Sequence, residues 1–313
     1  MTAEQCLPIT VIVPTYNDSN YLREALTSIL IQSAPPEVLI VVDDGSHNSD
    51  ASNIAREFEK SNQFSTRILY LKQINKGPSS ARNTGLRLVR TPYVTFLDAD
   101  DYMVSDNLKN MWRSLDALTD DYFGVYGTHR DRATGKLYPY GNLDGCVATS
   151  KVGRKRGVAG GVHTFLFRTH HLVAIEGFDE NLVNNEDYDL IIRLLRQGLK
   201  CKGKVTICFE KNSRLGSLTR PQQPAKAFEN NLKFLRKAER LGYFSANELE
   251  IRKRGAQLSY AKRLMEQGDE ASAKNVWQDA LSKKPGSLRE LYHWIRYILL
   301  TVKIVFFKSD NKH

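Results

Sequence analysis

The sequence predicts an α/β fold with a mostly parallel central sheet and helices on both faces. Over the first hundred residues, apolar runs that suit buried strands alternate with segments whose apolar residues recur at helical spacing. This alternation is typical of a Rossmann-like sheet, because parallel neighbours need a crossover connection. The fourth apolar run, at 94–97, ends in a burst of carboxylates at 98–101. Open α/β sheets bind ligands at such carboxyl ends of strands.

The predicted elements follow one another closely. Strands are expected at 9–13, 38–42, 67–71 and 94–97. Helices are expected at 22–30, at 51–60 and from Pro78 to about Val89, since proline suits the first helical position. Beyond these, the pattern predicts a helix at 106–118, a strand at 122–126, a long surface loop at 129–158 and helices at 169–175 and 186–197.

The distribution of charge, together with an apolar run near the end, indicates three parts of the chain. Residues 1–220 carry 27 Lys and Arg against 25 Asp and Glu, whereas 221–313 carry 18 against 10. We therefore expect an enzyme-like domain at 1–220, a charged helical extension at 221–288 and an apolar, basic helix at 289–313. The extension looks like either a single tetratricopeptide-type unit or a plain helical hairpin.

The last helix has two interpretations of similar weight. Residues 291–307 are very apolar, but Arg296 and Lys303 interrupt the run, which is short for a membrane-spanning helix. Trp294 and these basic residues suit a helix that lies in a membrane interface. A helix that docks on the domain or on a second subunit fits the same pattern.

Composition narrows the function classes. The four cysteines form no Cys-X-X-Cys pair, which favours free thiols in a reducing compartment. Residues 1–8 have neither a basic start nor an apolar core, so we expect no signal peptide and a cytoplasmic location, with contact to the inner face of the membrane through 291–307. The pI of 9.3 alone suggests nucleic acid, but no aromatic–basic motif supports such a partner.

Three polar segments follow predicted strands and are expected at one edge of the sheet. They are 14–17 (Pro-Thr-Tyr-Asn), 43–46 (Asp-Asp-Gly-Ser) and 98–101 (Asp-Ala-Asp-Asp). Tyr16 could stack on a base, Asp43 could accept from a pyrimidine N–H or a ribose hydroxyl, and the pair Asp98 and Asp100 could hold Mg²⁺ or Mn²⁺ against a diphosphate. Each piece alone could equally be a turn or a helix cap.

A possible anion site lies before the third predicted helix. Lys76 and Gly77 precede Pro78, and the free N–H groups of a helix start suit anions. Arg82, one turn further, adds positive charge. No Gly-X-Gly-X-X-Gly follows the first strand, which argues against a dinucleotide.

The ordered set of motifs resembles the family 2 glycosyltransferases with the GT-A fold over about residues 7–220. The segments are Val-Ile-Val-Pro-Thr-Tyr-Asn, Val-Val-Asp-Asp-Gly-Ser, Asn-Lys-Gly-Pro-Ser-Ser-Ala-Arg-Asn-Thr-Gly, Phe-Leu-Asp-Ala-Asp-Asp, Gly-Phe-Asp-Glu and Asn-Glu-Asp-Tyr-Asp-Leu. The resemblance implies a nucleoside-diphosphate sugar as donor, most readily a UDP-sugar. It also implies Mn²⁺ or Mg²⁺, a glycan or lipid-linked acceptor, and inversion at the anomeric carbon.

The same resemblance implies a role for individual residues. The nucleoside and diphosphate would be bound by Pro14, Tyr16, Asp43, Lys76, Gly77 and Arg82. Asp98 would bind ribose or sugar, and Asp100 would bind the metal, with Asp98 as a second candidate. Asp187, at the start of a predicted helix, would be the general base; helix-dipole charge is the alternative for Asp187 and Glu186. Arg214 stands where many relatives carry a histidine and would neutralise the diphosphate.

Two other functions remain open at the level of sequence. A sugar nucleotidyltransferase normally has a Gly-rich basic loop near the first strand, and 14–18 does not supply one. A non-catalytic nucleotide-sugar-binding or scaffold protein would use the basic C-terminal helices. The acidic residues at 98–101 and Asp187 favour the enzyme. Acceptor selection is expected in the loop at 129–165.

Overall fold

The computed structural model describes residues 6–47, 50–61, 64–154, 156–212 and 223–280, together with residue 295. The chain divides into two units, Met1–Arg214 and Leu215–His313. The division falls six residues before the predicted boundary at 220. Arg214 and the predicted helix at 291–307, apart from Ile295, lie outside the described residues.

The first half of unit one has the predicted strand–helix alternation. Its elements are β1 (Leu7–Thr15), α1 (Ser19–Leu30), β2 (Pro36–Asp43), α2 (Asp50–Lys60), β3 (Arg67–Lys72), α3 (Pro78–Leu86) and β4 (Tyr93–Phe96). Strand β1 lies between β2 and β4, β3 lies beyond β2, and all three pairings are parallel. The predicted parallel arrangement of these four strands is therefore confirmed.

Burial explains why these segments fold this way. The side chains of Ile9, Val11, Ile12 and Val13 are fully buried, so β1 is covered on both faces. Helix α1 buries its apolar stripe against the same core, through residues such as Leu22 and Leu26.

The second half of unit one changes the sheet from parallel to mixed. Its elements are β5 (Tyr102–Met103), α4 (Asn107–Asp116), β6 (Tyr122–Asp131), β7 (Leu137–Tyr138), β8 (Asp144–Gly145), β9 (Phe165–Arg168), α5 (Thr169–Ala174), α6 (Glu186–Arg196) and β10 (Lys200–Lys211). The strand order is β3-β2-β1-β4-β9-β6-β10-β5, with β7 paired to β6 and β8 paired to β10. Strand β9 is antiparallel to both β4 and β6.

The predicted surface loop at 129–158 is partly wrong. Strand β6 continues to Asp131, and β7 and β8 add short antiparallel pairs at the edges of β6 and β10. Only two residues each form β7 and β8, so neither has enough alternation to be read from the sequence. Among its described residues, the rest of this segment contains a 3₁₀ turn at Thr149–Lys151 and a bridge between Val152 and Val158.

Unit two is helical within its described residues. It contains α7 (Pro224–Arg240), α8 (Ala246–Glu266) and α9 (Glu270–Ala280). Trp277 on α9 is fully buried in a small cluster with Leu258 and Ala261 of α8. Among the described residues of the chain, none of the helices combines the length and the hydropathy needed to cross a bilayer.

Candidate active site

The three polar segments predicted to meet at one edge of the sheet do so. Thr15 at the end of β1 is in register with Asp43 at the end of β2, and Asp44 N–H donates to the Thr15 carbonyl at 2.8 Å. On the other side of β1, Leu97 N–H donates to the Ile12 carbonyl at 3.1 Å, immediately before Asp98. The parallel register places the carboxyl ends of β1, β2 and β4 side by side.

Asp43 is held by its own neighbours. Its Oδ1 accepts from Ser46 N–H at 2.8 Å, its Oδ2 accepts from the Tyr70 hydroxyl at 2.8 Å, and Lys72 Nζ lies 3.8 Å from Oδ2. Burial opposes ionisation, but these hydrogen bonds and the lysine outweigh it and keep the pKa of Asp43 below its ordinary value. The Asp43 carboxylate is fully buried and shapes the turn after β2. A nucleotide base would therefore have to donate to the lone pairs of Asp43 that these contacts leave free. Contact with a base stays a prediction.

Asp44 is a residue whose role the sequence did not reveal. Its carboxylate accepts from Lys76 N–H at 2.9 Å, from Gly77 N–H at 2.7 Å and from Gln73 Nε2 at 2.7 Å. These bonds tie the end of β2 to the segment before α3, where the anion site is predicted. Gly77 precedes α3 with φ of 92°, a left-handed conformation that glycine adopts without strain.

Tyr16 lies at the same edge with 41% of its surface exposed, and Pro14 is half-buried in β1. The Tyr16 hydroxyl is 3.5 Å from His47 Nε2, and the two rings meet edge to face. An exposed aromatic ring beside a strand end is a surface on which a base could stack. His47, which no sequence pattern marks, lies next to it.

Arg82 is the buried centre of the site. Its side chain is 5% exposed; Nη2 donates to Asp98 Oδ1 at 2.9 Å, Nη1 donates to Glu186 Oε1 at 3.0 Å, and Nη1 lies 3.8 Å from Asp187 Oδ1. Burial opposes its charge, but the three carboxylates raise the pKa of Arg82 above its ordinary value. One guanidinium faces three carboxylates. When all three are ionised, the cluster has an excess of negative charge, which favours a nearby cation.

A second cluster, next to Asp98, has the donor set of a divalent-metal site. The ligand atoms of Asp98, Asp101 and His163 lie within 4.8 Å of one another. His163 Nδ1 is buried, lies 3.7 Å from Asp98 Oδ2 and forms no hydrogen bond within the described chain. Burial lowers the pKa of His163 to about 3, which leaves a neutral imidazole that could offer a ring nitrogen to a metal. Two carboxylates and one imidazole fit a divalent cation such as Mn²⁺.

Asp100, the predicted metal ligand, is not one of these three residues. It is half-buried on the same turn and has contacts of its own. Asp101 is buried instead and accepts from Asn212 N–H at 3.0 Å. Burial, together with Asp98 and Asp100, raises the pKa of Asp101 well above its ordinary value. Asp101 could have been found from the sequence as the third acidic residue of the segment 98–101, whereas no sequence signal marks His163.

Asp187 starts α6 and faces the same centre. Its Oδ2 accepts from Val162 N–H at 3.3 Å, whereas the buried Oδ1 has no hydrogen bond among the described residues. Burial and the neighbouring Glu186 raise the pKa of Asp187, against the opposite effect of Arg82. A carboxylate with a raised pKa and an unused lone pair can accept a proton. Glu186 is the poorer candidate, since Arg82 occupies it.

Comparison with known proteins places this geometry in a family. The family model described as Glycosyl transferase family 2 matches residues 10–174, which is more than half of the chain. The chain belongs to this family. The glycosyltransferase GlyA of Streptococcus pneumoniae serotype 4 is 39% identical over 138 residues, which cover 44% of this chain and 18% of that protein. Chondroitin synthase of Escherichia coli is 30% identical over 194 residues, 61% of this chain and 27% of that protein.

Solved structures agree on the fold. The mannosyltransferase PcManGT of Pyrobaculum calidifontis, in complex with GDP-Man and Mn²⁺, superposes with a TM-score of 0.60 and 17% identity, over 94% of this chain and 80% of that chain. TarS 1–349 of S. aureus, in complex with UDP-GlcNAc, superposes with a TM-score of 0.59 and 19% identity, over 93% of this chain and 79% of that chain. The predicted GT-A fold is confirmed. The chain spans between about a fifth and a half of the length of curated relatives such as GlyA and an uncharacterized glycosyltransferase of Haemophilus influenzae.

Proposed function

We propose that the chain is an inverting glycosyltransferase, which moves a sugar from a nucleoside-diphosphate sugar to an acceptor hydroxyl during glycan synthesis. The observation that carries the proposal is the convergence of Asp98, Glu186 and Asp187 on one buried Arg82, with an oxygen of Asp187 left unbonded. Family membership supports it, and so do the nucleotides bound to the relatives: UDP-GlcNAc in TarS and GDP-Man in PcManGT. We propose a UDP-sugar as donor and a glycan or lipid-linked acceptor.

The donor would lie along the carboxyl ends of β1, β2 and β4. Tyr16 offers its exposed ring to the base beside Pro14, and Asp43 defines the floor of that pocket. Asp44 already accepts from the Lys76 and Gly77 N–H groups and fixes the segment before α3, so the exposed Lys76 side chain would supply the positive charge there for the diphosphate.

Transfer with inversion requires a base on the side of the acceptor. A sugar hydroxyl is a weak nucleophile, so its proton has to leave as the new bond forms. Asp187 would take this proton on Oδ1, while Val162 N–H holds Oδ2 in place. Arg82 holds Glu186 beside Asp187, and this second carboxylate helps to keep the pKa of Asp187 high.

We propose that the site takes Mn²⁺ or Mg²⁺, held by Asp98 and Asp101 with His163, and with Asp100 available on the same turn. The cation would stabilise the negative charge that develops on the leaving nucleoside diphosphate. Asp98 also contacts Arg82, so the positions of the metal ligands and the base are linked through one guanidinium.

Two further expectations belong to the whole protein. The location is proposed to be cytoplasmic, with contact to the inner face of the membrane through 291–307. We likewise propose the division of the chain into domains at 1–220, 221–288 and 289–313, as the sequence predicts. No feature of the described residues favours a nucleotidyltransferase or a scaffold over transfer.

The direct test is binding followed by turnover. Isothermal titration with UDP and GDP, each with and without Mn²⁺, should show binding that strengthens with the metal. A thermal-shift screen of nucleotide sugars should then reveal the donor, because a bound ligand raises the melting temperature by mass action. A chain that binds no nucleoside diphosphate under either condition would contradict the proposal.

A further inference from the structure

Exposed cations without an ion-pair partner among the described residues lie in the segment from the end of β6 to β9. Residues 130–156 contain seven Lys and Arg against two Asp. Three of these cations, Lys136, Lys151 and Arg156, are exposed and form no ion pair with any residue that the structure describes. We call these three residues the cationic rim. By contrast, the half-buried Lys200 on β10 lies 2.6 Å from Asp121.

Two members of the cationic rim are held beside the candidate base. The ring of Tyr188, next to Asp187, fits against two glycines of the loop that carries them. A Cβ on Gly160 would lie 2.1 Å from Tyr188 Cε1, and one on Gly153 would lie 2.4 Å from Cζ. This close contact holds the loop at Gly153 and Gly160 against the start of α6. Lys151 and Arg156 are therefore on the acceptor side of the proposed reaction.

The third member is linked to the metal cluster by a series of ring contacts. Lys136 Nζ lies 5.2 Å from the centroid of the Tyr138 ring, which stacks on His129 at 4.8 Å. His129 meets His163 edge to face at 6.3 Å, and His163 lies beside Asp98. Lys136 thus lies on the same side of the sheet as the proposed metal.

We propose that the cationic rim binds the acceptor and that the acceptor is an anionic glycan, one whose units carry phosphate, sulfate or carboxylate groups. The inference rests on the proposed function and names its second substrate. The donor diphosphate would be neutralised by the proposed divalent cation and by Lys76, so the rim charges are left for another anion. Exposed charges of one sign concentrate an oppositely charged polymer at a site. A nucleic acid is disfavoured, because the Tyr138 ring beside the rim already stacks on His129 and contacts Lys136.

The test compares binding of labelled dextran sulfate with that of uncharged dextran of the same length. The rim variant is Lys151→Glu with Arg156→Glu. A control with the same change in net charge is Arg67→Glu with Arg113→Glu: Arg67 begins β3, at the opposite end of the parallel strands, and both residues are exposed. Donor binding is followed separately as Mn²⁺-dependent UDP affinity, which no rim substitution should change.

The rim variant should bind dextran sulfate about tenfold more weakly at low salt, since each exposed charge contact contributes a few-fold and reversal adds repulsion. The control should change the affinity less than about twofold, and added salt should remove the difference. Equal loss in rim and control variants would overturn the inference while UDP binding kept the proposed function intact. Tighter, rim-dependent binding of single-stranded DNA would also overturn it. Rim-dependent binding without any UDP binding would contradict the proposed function, and with it the assignment of the polyanion as an acceptor.

Discussion

Replacing Arg82 by glutamine keeps a polar side chain but removes the positive charge that three carboxylates share. Asp98 and Glu186 lose donors at 2.9 and 3.0 Å, and Asp187 loses a charge at 3.8 Å. Both Arg82 and Glu186 are almost fully buried, so water cannot replace the lost partner. Breaking a buried ion pair on one side costs about 3–5 kcal/mol. At about 2–4 °C per kcal/mol for a unit of this size, the melting temperature should fall by roughly 6–20 °C.

The loss should depend on pH in a defined direction. In the wild type, burial raises the pKa of Asp98, but the charge and the hydrogen bond of Arg82 outweigh burial and hold it below its ordinary value. Without Arg82, burial is no longer opposed, and the pKa values of Asp98, Glu186 and Asp187 in the folded state lie above those in the unfolded state. The folded variant then binds more protons, so its stability falls as pH rises. The deficit relative to wild type should be larger at pH 8 than at pH 5.

Urea denaturation at both pH values measures the effect, with the slope checked so that only stability is compared. The matched control is Arg82→Gln combined with Glu186→Gln, which removes one uncompensated charge and should recover part of the loss. If Arg82→Gln alone lowers the free energy of unfolding by less than about 1 kcal/mol, or by the same amount at both pH values, the charge of Arg82 does not have this role.

The other predictions concern the metal, the loop and the C-terminal helix. His163→Ala should weaken Mn²⁺ binding at least about tenfold in titrations with the metal alone, the scale of a lost ligand; if Asp100→Ala has the larger effect, Asp100 is the main ligand and His163 is not. Gly160→Ala should push the ring of Tyr188 away and reduce transfer more than donor affinity; unchanged kinetics would show that the loop adapts. Removal of 289–313 should reduce co-sedimentation with anionic liposomes, since Trp, Arg and Lys suit a headgroup interface; equal sedimentation of both proteins would exclude this segment as the membrane contact.

The sequence was most informative where an element is local and buried on both faces. Strand β1 and its neighbours show continuous apolar runs, and each run is followed by the polar residues that meet at one edge. The start of α6 was also predicted correctly at Glu186, which placed Asp187 on a helix terminus. These features follow from periodicity and from the geometry of parallel strands.

The features that sequence did not reveal depend on distant pairing. Strand β9 has only four residues and becomes a strand because β4 and β6 lie on either side of it. His163 reaches Asp98 only after that insertion, so its position could not be read from a Gly-Gly-Val-His segment. Arg82 was expected beside a nucleotide, and its burial among three carboxylates depends on α6 returning to the edge of the sheet.

The most direct test of the account is Asp187→Asn, measured for donor affinity and for glycosyl transfer in the same preparation. Asparagine keeps the size of the side chain and can still accept from Val162 N–H, but it cannot take a proton at neutral pH. We expect nearly unchanged donor affinity and transfer slower by at least about two orders of magnitude, the usual scale for general-base catalysis. Transfer close to the wild-type rate would contradict it: Asp187 would then be a helix-terminal charge, and Glu186 would be the next candidate for the base.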